Sequence, residues 1–67
     1  MKHSAVVVDN WELLTFKFYF FQAGFEYTQE DGHEPDTFIL HIASDDVDRL
    51  KEVVAAARIA AKEEQHG

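Results

Sequence analysis

The segment 12–21, ELLTFKFYFF, decides the fold, because five of the six positions 16–21 are aromatic and need neighbours to cover them. As a strand it places Leu14, Phe16, Phe18 and Phe20 on one wholly apolar face. Leu13, Thr15, Lys17, Tyr19 and Phe21 then fall on a mixed one. As a helix it has a start, since Asp9 and Glu12 have capping-box spacing, and a stop at Gly24. At 100° per residue, however, its apolar side chains fall into two groups, Trp11/Leu14/Phe18/Phe21 and Leu13/Phe16/Phe20, rather than one stripe. Aromatic content favours a pleated surface, so the strand is the preferred reading.

Outward from this segment, residues 5–8 are a β-branched run suited to a first strand, preceded by a frayed segment 1–4. Asp9 and Asn10 form a turn, and residues 22–24 form another that sends 25–29 back as a strand. The polar segment 30–36, EDGHEPD, holds the only proline and reads as a loop. In 37–43, Phe38, Leu40 and Ile42 share one face. Ser44 then caps a helix running to about residue 64, whose core face is Val47, Leu50, Val54, Ala57 and Ala61. The expectation is one α+β domain over 1–67: a three- to four-stranded antiparallel sheet with one long C-terminal helix packed on one face. If 10–23 is helical, the order becomes βαββα.

A chain of 67 residues buries only about 60% of its unfolded surface. It has no cysteine to staple the fold. The N-terminal stretch lacks the apolar run of a signal peptide, and no segment has the ~20 apolar residues of a membrane span. A soluble, cytoplasmic protein is the expectation. Thirteen Asp and Glu against six Lys and Arg give a net charge of −7. Direct nucleic-acid binding needs clustered cations, so this charge disfavours it, and an anionic membrane is disfavoured for the same reason. A basic protein partner is favoured.

The charge is uneven. Residues 18–48 carry eight carboxylates and no Lys or Arg, whereas Lys51, Arg58 and Lys62 line one flank of the C-terminal helix. If loop 30–36 lies near the helix start, seven of the eight converge at one end. On the back of that helix Ile59 stands among Asp45, Asp48, Glu52 and Glu63, the pattern of a contact for a basic, partly apolar partner. With one helix over the sheet, the other sheet face keeps Leu13, Tyr19, Phe21, Ile39 and Trp11, a second interface candidate.

Catalysis finds little support. His33 among Asp31, Glu34 and Asp36 sits in a wet loop without calcium-loop or zinc-site spacing, His41 reads as an ordinary strand histidine, and His3 and His66 lie near the ends. No phosphate loop or nucleophile motif occurs. No catalytic, metal or cofactor residue is assigned. The leading expectation is a non-catalytic inhibitor that blocks the basic nucleic-acid-binding surface of a partner enzyme or complex. Its contact residues are Asp31, Glu34, Asp36, Asp45, Asp48 and Glu52, with Ile59 and Tyr19 as apolar anchors. The alternative is a homodimeric accessory protein associating through the open sheet face.

Overall fold

The computed structural model describes residues 2–66, with side chains described for 2–64. Its order is β1 (His3–Asp9), a 3-10 turn (Asn10–Glu12), α1 (Leu13–Ala23), β2 (Tyr27–Asp31), β3 (Thr37–Ala43) and α2 (Val47–His66). The architecture is α+β, in the order βαββα. The aromatic segment is therefore helical, which corrects the strand reading. Local signals outweigh aromatic propensity at both ends. The Asp9 N–H donates to Glu12 Oε1 at 2.9 Å and the Asp9 side chain takes the Glu12 N–H, a reciprocal box that satisfies two otherwise orphan donors.

The stop is equally well defined. Gly24 adopts φ +78°, its N–H donates to the Phe21 carbonyl at 3.1 Å, and the Phe25 N–H donates to the Phe20 carbonyl at 3.0 Å. This is a Schellman ending. Its usual apolar contact is present as Phe25 against Phe20, edge to face with centroids 6.3 Å apart. Nothing lies within 4 Å of a Cβ built on Gly24, so an alanine there meets only backbone strain. Gly24→Ala is expected to lower stability by about 1–2 kcal/mol. Urea denaturation reads this directly, and an unchanged midpoint would contradict the cap.

The sheet order is β1-β3-β2, antiparallel throughout, with Val6 opposite Leu40 and Tyr27 opposite Ile42. Val8, Leu40 and Ile42 are buried on one face. Leu13, Phe16 and Phe20 of α1 and Leu50 and Ala57 of α2 join them in one core. Both helices thus cover the same sheet face, where one had been expected. The opposite face carries Ala5, Val7, Ile39, His41, Thr28 and Glu30. Chain direction makes α1 and α2 antiparallel, and the buried Thr15 hydroxyl donates to Glu64 Oε2 at 2.8 Å, joining the start of one to the end of the other.

Several boundaries differ from expectation. β2 is 27–31 rather than 25–29, because Phe25 is used in the helix ending and Glu30 pairs with His41 across the sheet at 2.6 Å. The loop shrinks to 32–36, closed by the Gly32 N–H donating to the Thr37 carbonyl at 3.0 Å. The cap of α2 is Asp46, whose Oδ1 accepts the Arg49 N–H at 3.1 Å, and Ser44 Oγ instead accepts the Asp46 N–H at 3.1 Å. At the start of the chain, His3 and Ser4 belong to β1 rather than to a frayed end, and Met1 lies outside the described residues. The side chain of His66 also lies outside them.

Candidate functional site

Loop 32–36 lies at the N-terminal end of β3 and the start of α2 at its C-terminal end. Six steps of strand separate the two by about 20 Å. The expected convergence of seven carboxylates at one end therefore does not occur, because β3 stands between them. The predicted residues divide among four places.

Near the loop, Asp31 ends β2 opposite Phe38. Asp36 has φ +60°, a left-handed conformation that Asp tolerates, and its carbonyl accepts the Asn10 N–H at 2.7 Å. Its backbone ties the loop to the start of the 3-10 turn. The Glu34 carbonyl accepts the Thr37 hydroxyl at 2.6 Å, and Glu34 with His33 borders a hollow shared with Val7 and Ile39 of the outer sheet face. At the other end of β3, Asp45 Oδ1 accepts the Lys2 N–H at 3.1 Å and so anchors the entry into β1. Only Asp48, Glu52 and Ile59 share one face. They are exposed on the outside of α2, Ile59 at 61%.

Tyr19 is half-buried against the core, 5.9 Å from the Phe18 ring in an edge contact, and does not stand on an open sheet face. Leu13 is buried as well. The outer sheet face keeps Val7 and Ile39 as direct cross-strand partners, bordered by the His41–Glu30 pair. Leu13, Tyr19 and Phe21, placed there by the strand reading, lie in α1, and Trp11 in the 3-10 turn before it.

What α1 and the 3-10 turn before it present to solvent is the largest unexplained feature among the described residues. Leu14 and Phe21 are each 78% exposed, Phe18 58% and Trp11 46%. Their spacing of three, four and three residues puts them in one stripe along the helix. The complementary group, Leu13, Phe16 and Phe20, is the buried one. At 150–250 Å² per aromatic side chain and somewhat less for Leu14, the four leave roughly 500 Å² of apolar surface in water. That is near the upper limit for the largest patch on an ordinary monomer. On a molecule with 4737 Å² of accessible surface it amounts to about a tenth of the whole.

Since both helices lie on one sheet face, the outward sides of α1 and α2 point the same way and form one surface. The antiparallel arrangement sets Trp11 and Leu14 beside the Ile59 half of α2, and Phe18 and Phe21 beside the Asp48 and Glu52 half. The outer side of the helical layer therefore carries an apolar stripe on one helix and Asp48, Glu52 and Ile59 on the other. The Arg49 guanidinium, 5.5 Å from the Phe25 centroid, holds the corner where the two helices meet the sheet. The stripe was visible in the sequence as the second apolar group of the helical wheel. Committing to the helix on its caps alone would have exposed it.

Among the described residues, no group of three or more His, Cys, Asp or Glu is placed to hold a metal ion, and no helix is long and apolar enough to cross a membrane. Comparison with protein-family models, curated proteins and solved structures finds no match.

Proposed function

We propose that this protein is a non-catalytic binding module that acts through the outer face of its helical layer, and that it blocks a basic surface used by a partner protein to hold nucleic acid. The observation that carries this reading is the exposed Trp11/Leu14/Phe18/Phe21 stripe, on the same helical layer as the exposed Asp48 and Glu52. Burying about 500 Å² of apolar surface is worth about 12 kcal/mol gross. Association costs of 4–15 kcal/mol offset most of it. Net affinity then depends on complementary charge at the rim, which Asp48 and Glu52 supply to Lys or Arg. A surface that grips phosphates offers such cations, and often apolar residues between them.

Relative to the sequence-based expectation, the proposed contact set keeps Asp48, Glu52 and Ile59. The stripe replaces Tyr19 as the apolar anchor, and Asp45 and Asp36 take structural roles through the bonds described above. Asp31 and Glu34 contribute only to the overall negative field.

The test is recovery of the partner from nuclease-treated lysate by the wild type and by Asp48→Ala/Glu52→Ala, at low and high salt, followed by inhibition of the recovered protein. The expected partner is basic, binds the variant about tenfold or more weakly, releases with salt, and is inhibited competitively with nucleic acid. Inhibition that is independent of nucleic-acid concentration would refute the blocking mechanism. A homodimer is the second reading, favoured by the same stripe, which is apolar enough to pack on a copy of itself. Light scattering that finds a stable dimer, disrupted by Phe18→Lys, would select it.

A further inference from the structure

The two edges of the sheet are unlike. The edge of β2 is five residues long and ends in Glu30 and Asp31, charges that discourage another strand from adding to it. The edge of β1 is seven residues long, HSAVVVD, with Asp9 at its end as its one carboxylate and no Pro, Lys or Arg, and it pairs with β3 in unbroken register without a bulge. Every second backbone N–H and C=O of such a strand points away from the sheet with no ladder partner. Strand addition is the recurrent use of such an edge.

Beside this edge lies a hollow of about 480 Å³ between β1 and α2. Val6, Val47, Leu50 and Val54 give it an apolar floor, and Lys51 and Arg58 line it as well. The Arg58 guanidinium is 5.4 Å from the centroid of the buried Phe16 ring, which restrains it. In a chain of net charge −7, two cations beside one apolar hollow select for a ligand of the opposite sign.

We propose that the β1 edge takes up an extended acidic peptide segment as a fourth strand. A strand laid beside β1 sends every second side chain toward the helical layer, so one apolar side chain enters the hollow. Lys51 and Arg58 are seven helical residues apart, about 10.5 Å along the axis. Same-face strand positions two and four apart span roughly 7 and 13 Å, so flexible cations bracket a central apolar residue with an acid two positions to either side. The ligand is thus an acid, any residue, an apolar residue, any residue, and an acid. A second copy is the poorer occupant: antiparallel pairing of two β1 edges brings the Lys51 and Arg58 flanks of both copies together, like charge against like.

This inference uses a different surface from the helical-layer reading, and the two fail separately. The probe is a capped heptapeptide pool, Thr-Glu-Thr-X-Thr-Glu-Thr with X as Val, Ile, Leu or Phe, titrated to millimolar concentration while backbone amide and methyl resonances are recorded. The expected result is saturable shifts at the amides of residues 4–8 and the methyls of Val47, Leu50 and Val54. Lys51→Glu, at an exposed position, is expected to weaken binding about tenfold, and Leu14→Gln/Phe21→Lys to leave it unchanged. Absence of shifts along β1, equal binding of the pool with Lys in place of Glu, or concentration-dependent self-association through β1 would each overturn the proposal.

Discussion

Phe16→Ala is expected to lower the free energy of unfolding by about 3–5 kcal/mol, the range for truncating a fully buried aromatic. Phe16 has no accessible surface, packs edge to face on Phe20 with centroids 6.1 Å apart, and carries the Arg58 guanidinium over its ring. Removing it opens a cavity between α1 and the sheet and leaves Arg58 without its platform. A domain of this size has a total stability near the lower end of 5–15 kcal/mol, so the variant should be largely unfolded at 37 °C. Phe16→Leu keeps most of the volume and should cost well under half as much. Urea titration followed by circular dichroism reads both. A loss below about 1 kcal/mol for the alanine variant would mean that α1 is not the central core element.

The second large effect concerns binding rather than folding. Leu14→Gln/Phe21→Lys replaces the two most exposed large apolar side chains among the described residues. A neutral residue near the start of α1 and a cation near its end both suit the helix dipole, and exposed substitutions of this kind stay within about ±0.5 kcal/mol of wild-type stability. Apolar anchors of an interface cost about 2 kcal/mol each when lost, so the double variant should bind its partner on the order of 1000-fold more weakly. It should also bind less of a dye that reports exposed apolar surface. Retained affinity with normal stability would remove α1 from the interface.

Phe16 is buried and Leu14 exposed although both lie in one run of apolar residues, and that contrast explains how far the sequence could be read. The α+β class, the core side of β3 and the core face of α2 were legible because their outward positions are mostly polar or small, with Ile39 and Ile59 the exceptions, so periodicity has one solution. Leu50, Ala57 and Ala61 are buried as that pattern requires. In α1 the outward positions are also apolar, so the wheel shows two stripes and the test for a single amphipathic face rejects the true helix. The caps carried the decisive information: Asp9 with Glu12 at one end and Gly24 with Phe25 at the other. Local hydrogen-bonding chemistry predicted the element where hydrophobic periodicity did not.

The acidic pattern was legible as composition and not as a surface. Whether Glu34 and Asp46 come together depends on which end of β3 each meets, and a seven-residue strand between them settles this in favour of separation. Asp36 and Asp45 illustrate a further limit. Nothing in their identity distinguishes a carboxylate that faces a partner from a residue whose carbonyl or side chain fixes a neighbouring backbone N–H. Asp48 and Glu52, by contrast, keep their expected place on the outside of α2 because helical spacing alone determines it.

The central claim is that the outward face of α1 is a binding surface for another protein. The most direct test replaces Phe18, 58% exposed in the middle of the stripe, with a photo-crosslinking benzoylphenylalanine in the source cell, alongside the same replacement at the exposed Thr28 of the outer sheet face. The expected result is a light-dependent adduct from position 18 to a basic protein, with none from position 28. Adducts from position 28 alone, or from neither position, would contradict the account, and an adduct joining two copies of this chain would select the homodimer.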